Sequence, residues 1–181
     1  MTESYFFDTD CLSSFLWVDR QDILLETCEN IILPRETYDE ISHPHIFHLK
    51  NKVDILVADK KIEIVDMDVD SEEFRIYQKL TETPEPNHKI IGSGEAASIA
   101  LSKVYNGILA SNNLKDIRQY LGEMHLKHTT TGDILKKALI NKIITENDGN
   151  LIWKAMLAKR RKLGTESFSE YLSLEQTAAS K

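Results

Sequence analysis

Apolar residues along the chain follow two alternating rhythms. Short β-rich runs at Ser4–Asp8, Ile31–Leu33, Ile62–Val65 and Gly107–Ala110 predict strands, and His125–His128 suggests another. Between them, apolar positions recur at helical intervals over Cys11–Trp17, Ile23–Cys28, Arg35–Ser42, Asn51–Ala58, Ser93–Tyr105, Asn113–Leu121 and Thr131–Asn141. Ser71 is placed to cap a helix through Leu80, with Glu72 and Glu73 in the first turn, where the helix dipole favours acids. Thr81–Gly92, with Pro84, Pro86 and Asn87, reads as a loop. Asp148 and Gly149 mark a break before a basic amphipathic helix over Leu151–Lys162. Strands that alternate with helices predict an α/β fold with a mainly parallel central sheet flanked by helices. Residues 1–144 would form that domain, and 145–181 a C-terminal helical extension packed on it.

Composition narrows the class. With 181 residues, 41% hydrophobic and 28% charged, the chain suits one globular domain. No run approaches the ~20 apolar residues of a bilayer span, so no membrane partner is expected. The start, Met1-Thr2-Glu3-Ser4, lacks the basic flank and apolar stretch of a signal peptide. Cys11 and Cys28 both fall inside apolar patterns and read as buried thiols, so the expected setting is the cytoplasm. Charge is polarised. Residues 1–102 carry 9 Lys and Arg against 21 Asp and Glu, whereas residues 103–162 carry 12 against 5. Two differently solvated faces explain this, as does a cation-binding centre beside a phosphate-attracting surface.

In open α/β sheets ligands bind beyond the carboxyl ends of the strands, so polar residues there are the candidates. Asp8 and Asp10 follow the first run, and Glu40 lies in LPRETYDEIS after the second. Glu95 opens the helix in GSGEAASIAL, and Asn112, Asn113 and Asp116 follow GILA. Carboxylates from separate elements make an oxygen cage suited to a hard divalent cation. Each also has an ordinary role: Asp10 as a helix cap, Glu40 on a solvated face, Glu95 favoured by the dipole, Asp116 paired at the surface. Asp8-Thr9-Asp10 alone equally fits a metal ligand, a helix cap or a phosphatase nucleophile.

Taken in order, YFFDTDCL, ILPRETYDEI, GSGEAASIALSKVYNGILAS, ASNNLKDI and TTTGDILKKALINKII resemble the PIN-domain nucleases from about Ser4 to Ile144. The resemblance implies a metal-dependent endoribonuclease with catalytic Asp8, Glu40, Glu95 and Asp116. Asp8, Glu95 and Asp116 would hold Mg²⁺ or Mn²⁺, supported by Thr9, Asp10, Ser13, Asn112 and Asn113. Many members carry an acid directly after the fourth strand, where this chain has Asn112 and Asn113. An amide ligates without charge, which implies one tight metal. Lys115, Arg118, Lys154, Lys159, Arg160 and Arg161 are candidates for holding an RNA backbone. The resemblance also implies an antitoxin protein as partner, as for small bacterial PIN toxins, and a homodimer.

Three other readings stand beside it. A PIN-like fold with a decayed site would be a protein- or RNA-binding module. A haloacid-dehalogenase-type phosphatase would use Asp8 as nucleophile, but it needs Thr or Val where Leu12 stands. His43, His45 and His48 in SHPHIFHLK raise zinc, yet their spacing suits a surface loop better.

Overall fold

The computed structural model describes residues 3–84, 86 and 88–179. Five parallel strands form one sheet: β1 (Ser4–Phe7), β2 (Asn30–Pro34), β3 (Ile62–Val65), β4 (Ile108–Ala110) and β5 (Lys127–Thr129). Their spatial order is β3-β2-β1-β4-β5. Tyr5 pairs with Ile31 on one side and Ile108 on the other, so β1 is central, and Tyr5, Phe6 and Phe7 are all buried. A strand covered on both faces requires this continuous apolar run. The chain proceeds outward from β1 through β2 to β3, then returns to β1's other side with β4 and β5. The topological switch point therefore lies between β1 and β4, where such sheets open a crevice.

The strands are connected by α1 (Thr9–Leu16), α2 (Gln21–Thr27), α3 (Arg35–Ile41), α4 (Phe47–Ala58), α5 (Glu72–Thr81), α6 (Ser93–Val104) and α7 (Leu114–Glu123), and α8 (Thr131–Ile140) follows β5. After them come α9 (Glu146–Ala158) and α10 (Phe168–Ala179). The larger core packs Phe7, Leu33 and Ala110 of the sheet against Leu12, Phe15, Ile23, Val53, Leu135 and Trp153. A smaller one joins Leu109 to Ile99, Ile117 and Tyr120. α6 is buried through Ala96, Ala97, Ser98, Ile99, Ala100, Leu101 and Ser102, and its short side chains let it lie close to the sheet. Ser98 Oγ donates to the Phe7 carbonyl at 3.0 Å and ties this helix to the end of β1.

The α/β class and parallel sheet are as the sequence predicts. β5 begins two residues later than expected, and α4 begins at Phe47, so His48 is helical and packs edge-on against Trp17 at 4.5 Å. His43 and His45 flank and enter a short 3-10 turn, their rings stacked 5.2 Å apart. Glu85 and Asn87 of the predicted loop, and the chain ends at 1–2 and 180–181, lie outside the described residues. The expected break at Asp148-Gly149 is wrong. Thr145 caps α9 and forms a capping box with Asp148, so Asp148 starts the helix instead of ending one. Gly149 is there because a Cβ would meet the Phe168 ring at 2.3 Å. α9 also stops at Ala158, which leaves Lys159–Lys162 as a loop beyond the helix, and a second helix, residues 168–179, lies within the expected helical extension.

Candidate active site

The backbone sets Asp8 against the end of β4. Its N–H donates to the Ala110 carbonyl at 3.0 Å, and Ser111 N–H extends the next rung to Thr129. Asp8 is also the cap of α1, since Oδ1 accepts the Cys11 N–H at 2.7 Å. That corrects the expectation of Asp10 as the cap, because Asp10 falls in the first turn. Asp8 is 4% exposed, and burial pushes its carboxyl up to about 7, against the opposing hydrogen bonds from Ser111 and Cys11; Asp10 and Glu40 add repulsion.

Glu95 occupies the first turn of α6 across the crevice. Burial pushes it up to about 8, reinforced by the charges of Asp8, Asp116 and Glu40. Asp8, Thr9, Asp10, Glu40, Glu95 and Asn113 line one hollow of about 180 Å³. Two carboxyls whose charged forms are both disfavoured, in one small hollow, make a site that ionises readily only beside a counter-charge.

Glu40 reaches the hollow from α3 and is held on every side. Oε1 accepts from the Gly94 N–H at 2.8 Å and from Ser93 Oγ at 3.1 Å, while Thr9 Oγ1 donates to Oε2. The N-cap of α6 is Gly92, which has no side chain to offer, so Glu40 serves that helix end from a distance. The solvated-face reading of Glu40 is thus replaced by a fixed one.

Asp116 stands at the rim. Asn113 Nδ2 donates to Asp116 Oδ2 at 2.9 Å and to Glu95 Oε2 at 3.4 Å, so this amide bridges the two acids. Lys89 Nζ lies 3.6 Å from Asp116 Oδ1, and the Asn113 bond with this cation holds the Asp116 carboxyl low. Among the described residues, no three His, Cys, Asp or Glu side chains converge closely enough to hold a metal ion as they stand. The oxygen-only chemistry of the hollow nevertheless fits a hard cation, which would draw the carboxylates together.

The other expected residues divide. Asn112 lies outside the acidic hollow, its amide bonded to Thr131 Oγ1 and N–H at 2.9 Å, which pins the end of β4 to α8. Ser13 is buried on α1, within 3.4 Å of Arg161 Nη1. Arg160 and Arg161 come near the site, and Lys115 lines an adjoining hollow. Sequence reading missed Ser93, Gly94, Ser111 and Lys89. Of these, only the Ser-Gly-Glu order at a helix start carries a local signal.

A family model described as "DUF3368: PIN domain" matches residues 4–176. Among solved structures, the "Crystal structure of VapBC2 from Rickettsia felis bound to a DNA fragment from their promoter" contains a chain similar to this one at 16% identity. That match has a TM-score of 0.49 and covers 70% of this chain and 98% of the other. Among curated proteins none matches. No helix among the described residues is long and apolar enough to cross a membrane.

Proposed function

This chain belongs to the PIN-domain family, whose members are generally nucleases, and from that premise we propose that it is a Mg²⁺- or Mn²⁺-dependent endoribonuclease. The observation that carries the reading is the pairing of Asp8 and Glu95, pushed up to about 7 and 8, in one hollow beyond the end of the central strand. Buried acids that repel one another stabilise nothing when empty, and a cation removes the penalty. Asp8 and Glu95 would hold it, with Asp116 joining across Asn113. A bound divalent ion supplies an activated water and offsets charge that builds on the phosphodiester.

The remaining groups act around that centre. Glu40 is a positioning residue: it fixes Thr9 on α1 and the first turn of α6, and so sets the distance between the elements that carry Asp8 and Glu95. Asn113 orients Glu95 and Asp116 while adding no charge. One tight metal follows from that missing charge. The phosphatase reading needs Thr or Val at position 12, where the fully buried Leu12 stands. An antitoxin protein covering the acidic hollow and a homodimer in the cytoplasm belong to the same reading.

The test is Mn²⁺ binding by calorimetry together with cleavage of a labelled single-stranded RNA. Binding tightens between pH 6 and pH 8.5, because both carboxyls must lose protons to bind, and EDTA abolishes cleavage. Cleavage that survives EDTA, or no Mn²⁺ binding at pH 8.5, overturns the proposal.

A further inference from the structure

A second hollow, of about 350 Å³, adjoins the acidic one and shares Asp10 and Asn113 with it. Its far wall is Arg160, Arg161 and Lys162, from the loop between α9 and α10. This loop is held at alternate residues. Lys159 Nζ lies 5.6 Å over the Trp17 ring, and Arg161 Nη1 lies 3.3 Å from Asp10 Oδ1 and 3.4 Å from Ser13 Oγ. Arg161 Nε donates to the Lys159 carbonyl at 3.2 Å. Both anchors are on α1 or its cap, the element that presents Asp8. Arg160 adopts φ of 59°, a left-handed conformation uncommon for a side-chain-bearing residue, and the chain reverses there. Among the described residues, neither Arg160 nor Lys162 has an acidic partner, and both are exposed.

Cations without partners at a hollow that continues an acidic centre are laid out for a polyanion strand, with one phosphate at the acids and its neighbours along the basic wall. We infer that the loop 159–162 is the phosphate-holding wall of the RNA cleft, with Lys159 and Arg161 anchoring it to α1 and Arg160 and Lys162 contacting backbone phosphates beside the scissile one. The inference rests on the ribonuclease reading. It also explains what the C-terminal helices contribute, since they deliver this loop to the site. Trp153 Nε1 donates to the Thr165 carbonyl at 3.1 Å and closes the loop from behind.

The test is steady-state cleavage of a labelled single-stranded RNA by wild type, Arg160→Ala/Lys162→Ala and Arg161→Ala, with binding to the same RNA measured against salt in an Asp8→Asn background. The double variant is expected to raise KM about tenfold with kcat within about twofold, and to flatten the slope of log K against log salt by about 0.7 for each phosphate no longer neutralised. Arg161→Ala raises KM in the same way although Arg160 and Lys162 both remain, and Arg161→Lys recovers part of the loss. Should the double variant lower the melting temperature, Arg160→Gln and Lys162→Gln singly carry the same measurement. Unchanged KM and salt slope in variants of a cleaving enzyme overturn this inference alone. A wild-type chain that neither binds nor cleaves RNA overturns the functional reading, and this inference with it.

Discussion

At Glu40, hydrogen bonds from Gly94, Ser93 and Thr9 occupy both carboxylate oxygens. A methyl group on Gly94 would lie 2.7 Å from Glu40 Oε2. Because that oxygen ends a flexible side chain, Gly94→Ala should displace Glu40 and leave the fold intact. The expected result is a melting temperature lowered by no more than about 5 °C, since the three bonds to Glu40 are exchanged for water and partly offset by helix propensity, with RNA cleavage reduced about tenfold or more. Glu95 supplies the second residue-scale prediction. Its folded pKa of about 8 stands above the ordinary value of 4.5, so the metal-free fold binds a proton the unfolded chain has released. Stability from this group is therefore greatest at low pH and is lost as pH rises from about 4.5 through 8, at up to about 1.4 kcal/mol per unit. Asp8 acts with the same sign, from 3.8 through about 7. In EDTA, Glu95→Gln should melt higher than wild type at pH 8.5 and by a much smaller margin at pH 5.5, where only about one pH unit of the loss has accrued. Equal melting differences at both pH values would contradict the assignment. Asp8 and Glu95 were legible in the sequence because each directly follows a strand or opens a helix. Glu40's role was not, since its partner Gly94 is 54 residues away and only the fold joins them.

Among elements, α9 shows how a local signal misleads. Asp-Gly is a turn dipeptide, and Gly lowers helix propensity, so 148–149 reads as a break. The structure resolves it through Thr145, three residues upstream, whose hydroxyl accepts the Asp148 N–H at 3.1 Å while Asp148 Oδ2 accepts the Thr145 N–H at 2.9 Å. Such a Thr-x-x-Asp box is a local signal for a helix start at Thr145. The Gly149–Phe168 contact is not, because it depends on α10 folding back. Thr145→Ala should cost about 1 kcal/mol in chemical denaturation, through loss of the cap. Gly149→Ala should cost more, about 1–3 kcal/mol, by pushing against a fully buried ring. If the two costs come out in the opposite order, the packing role of Gly149 is wrong. Strand assignments fared better because β1 and β2 are apolar runs bounded by polar residues, a pattern that parallel burial enforces.

Over the whole molecule, the order β3-β2-β1-β4-β5 places the switch point where Asp8 and the residues after Ala110 meet. Sheet topology thus explains why acids scattered from position 8 to 116 share a crevice, and why a basic loop from beyond residue 158 can reach its edge. The charge polarity of the sequence anticipated this juxtaposition in outline: acids of the first half line one hollow, and Arg160, Arg161 and Lys162 line its neighbour. Which cations approach the site depends on where α9 ends, and the sequence pattern misplaced that end. The central claim, that Asp8 is the pivotal carboxylate of a divalent-metal ribonuclease, is tested most directly by Asp8→Asn. Asparagine can still cap α1, so the fold is expected to persist. The measurement is the single-turnover rate of Mn²⁺-dependent RNA cleavage by this variant beside wild type. A fall of at least about a thousandfold, with unchanged circular dichroism, is the predicted result. A variant that cleaves at the wild-type rate would contradict it.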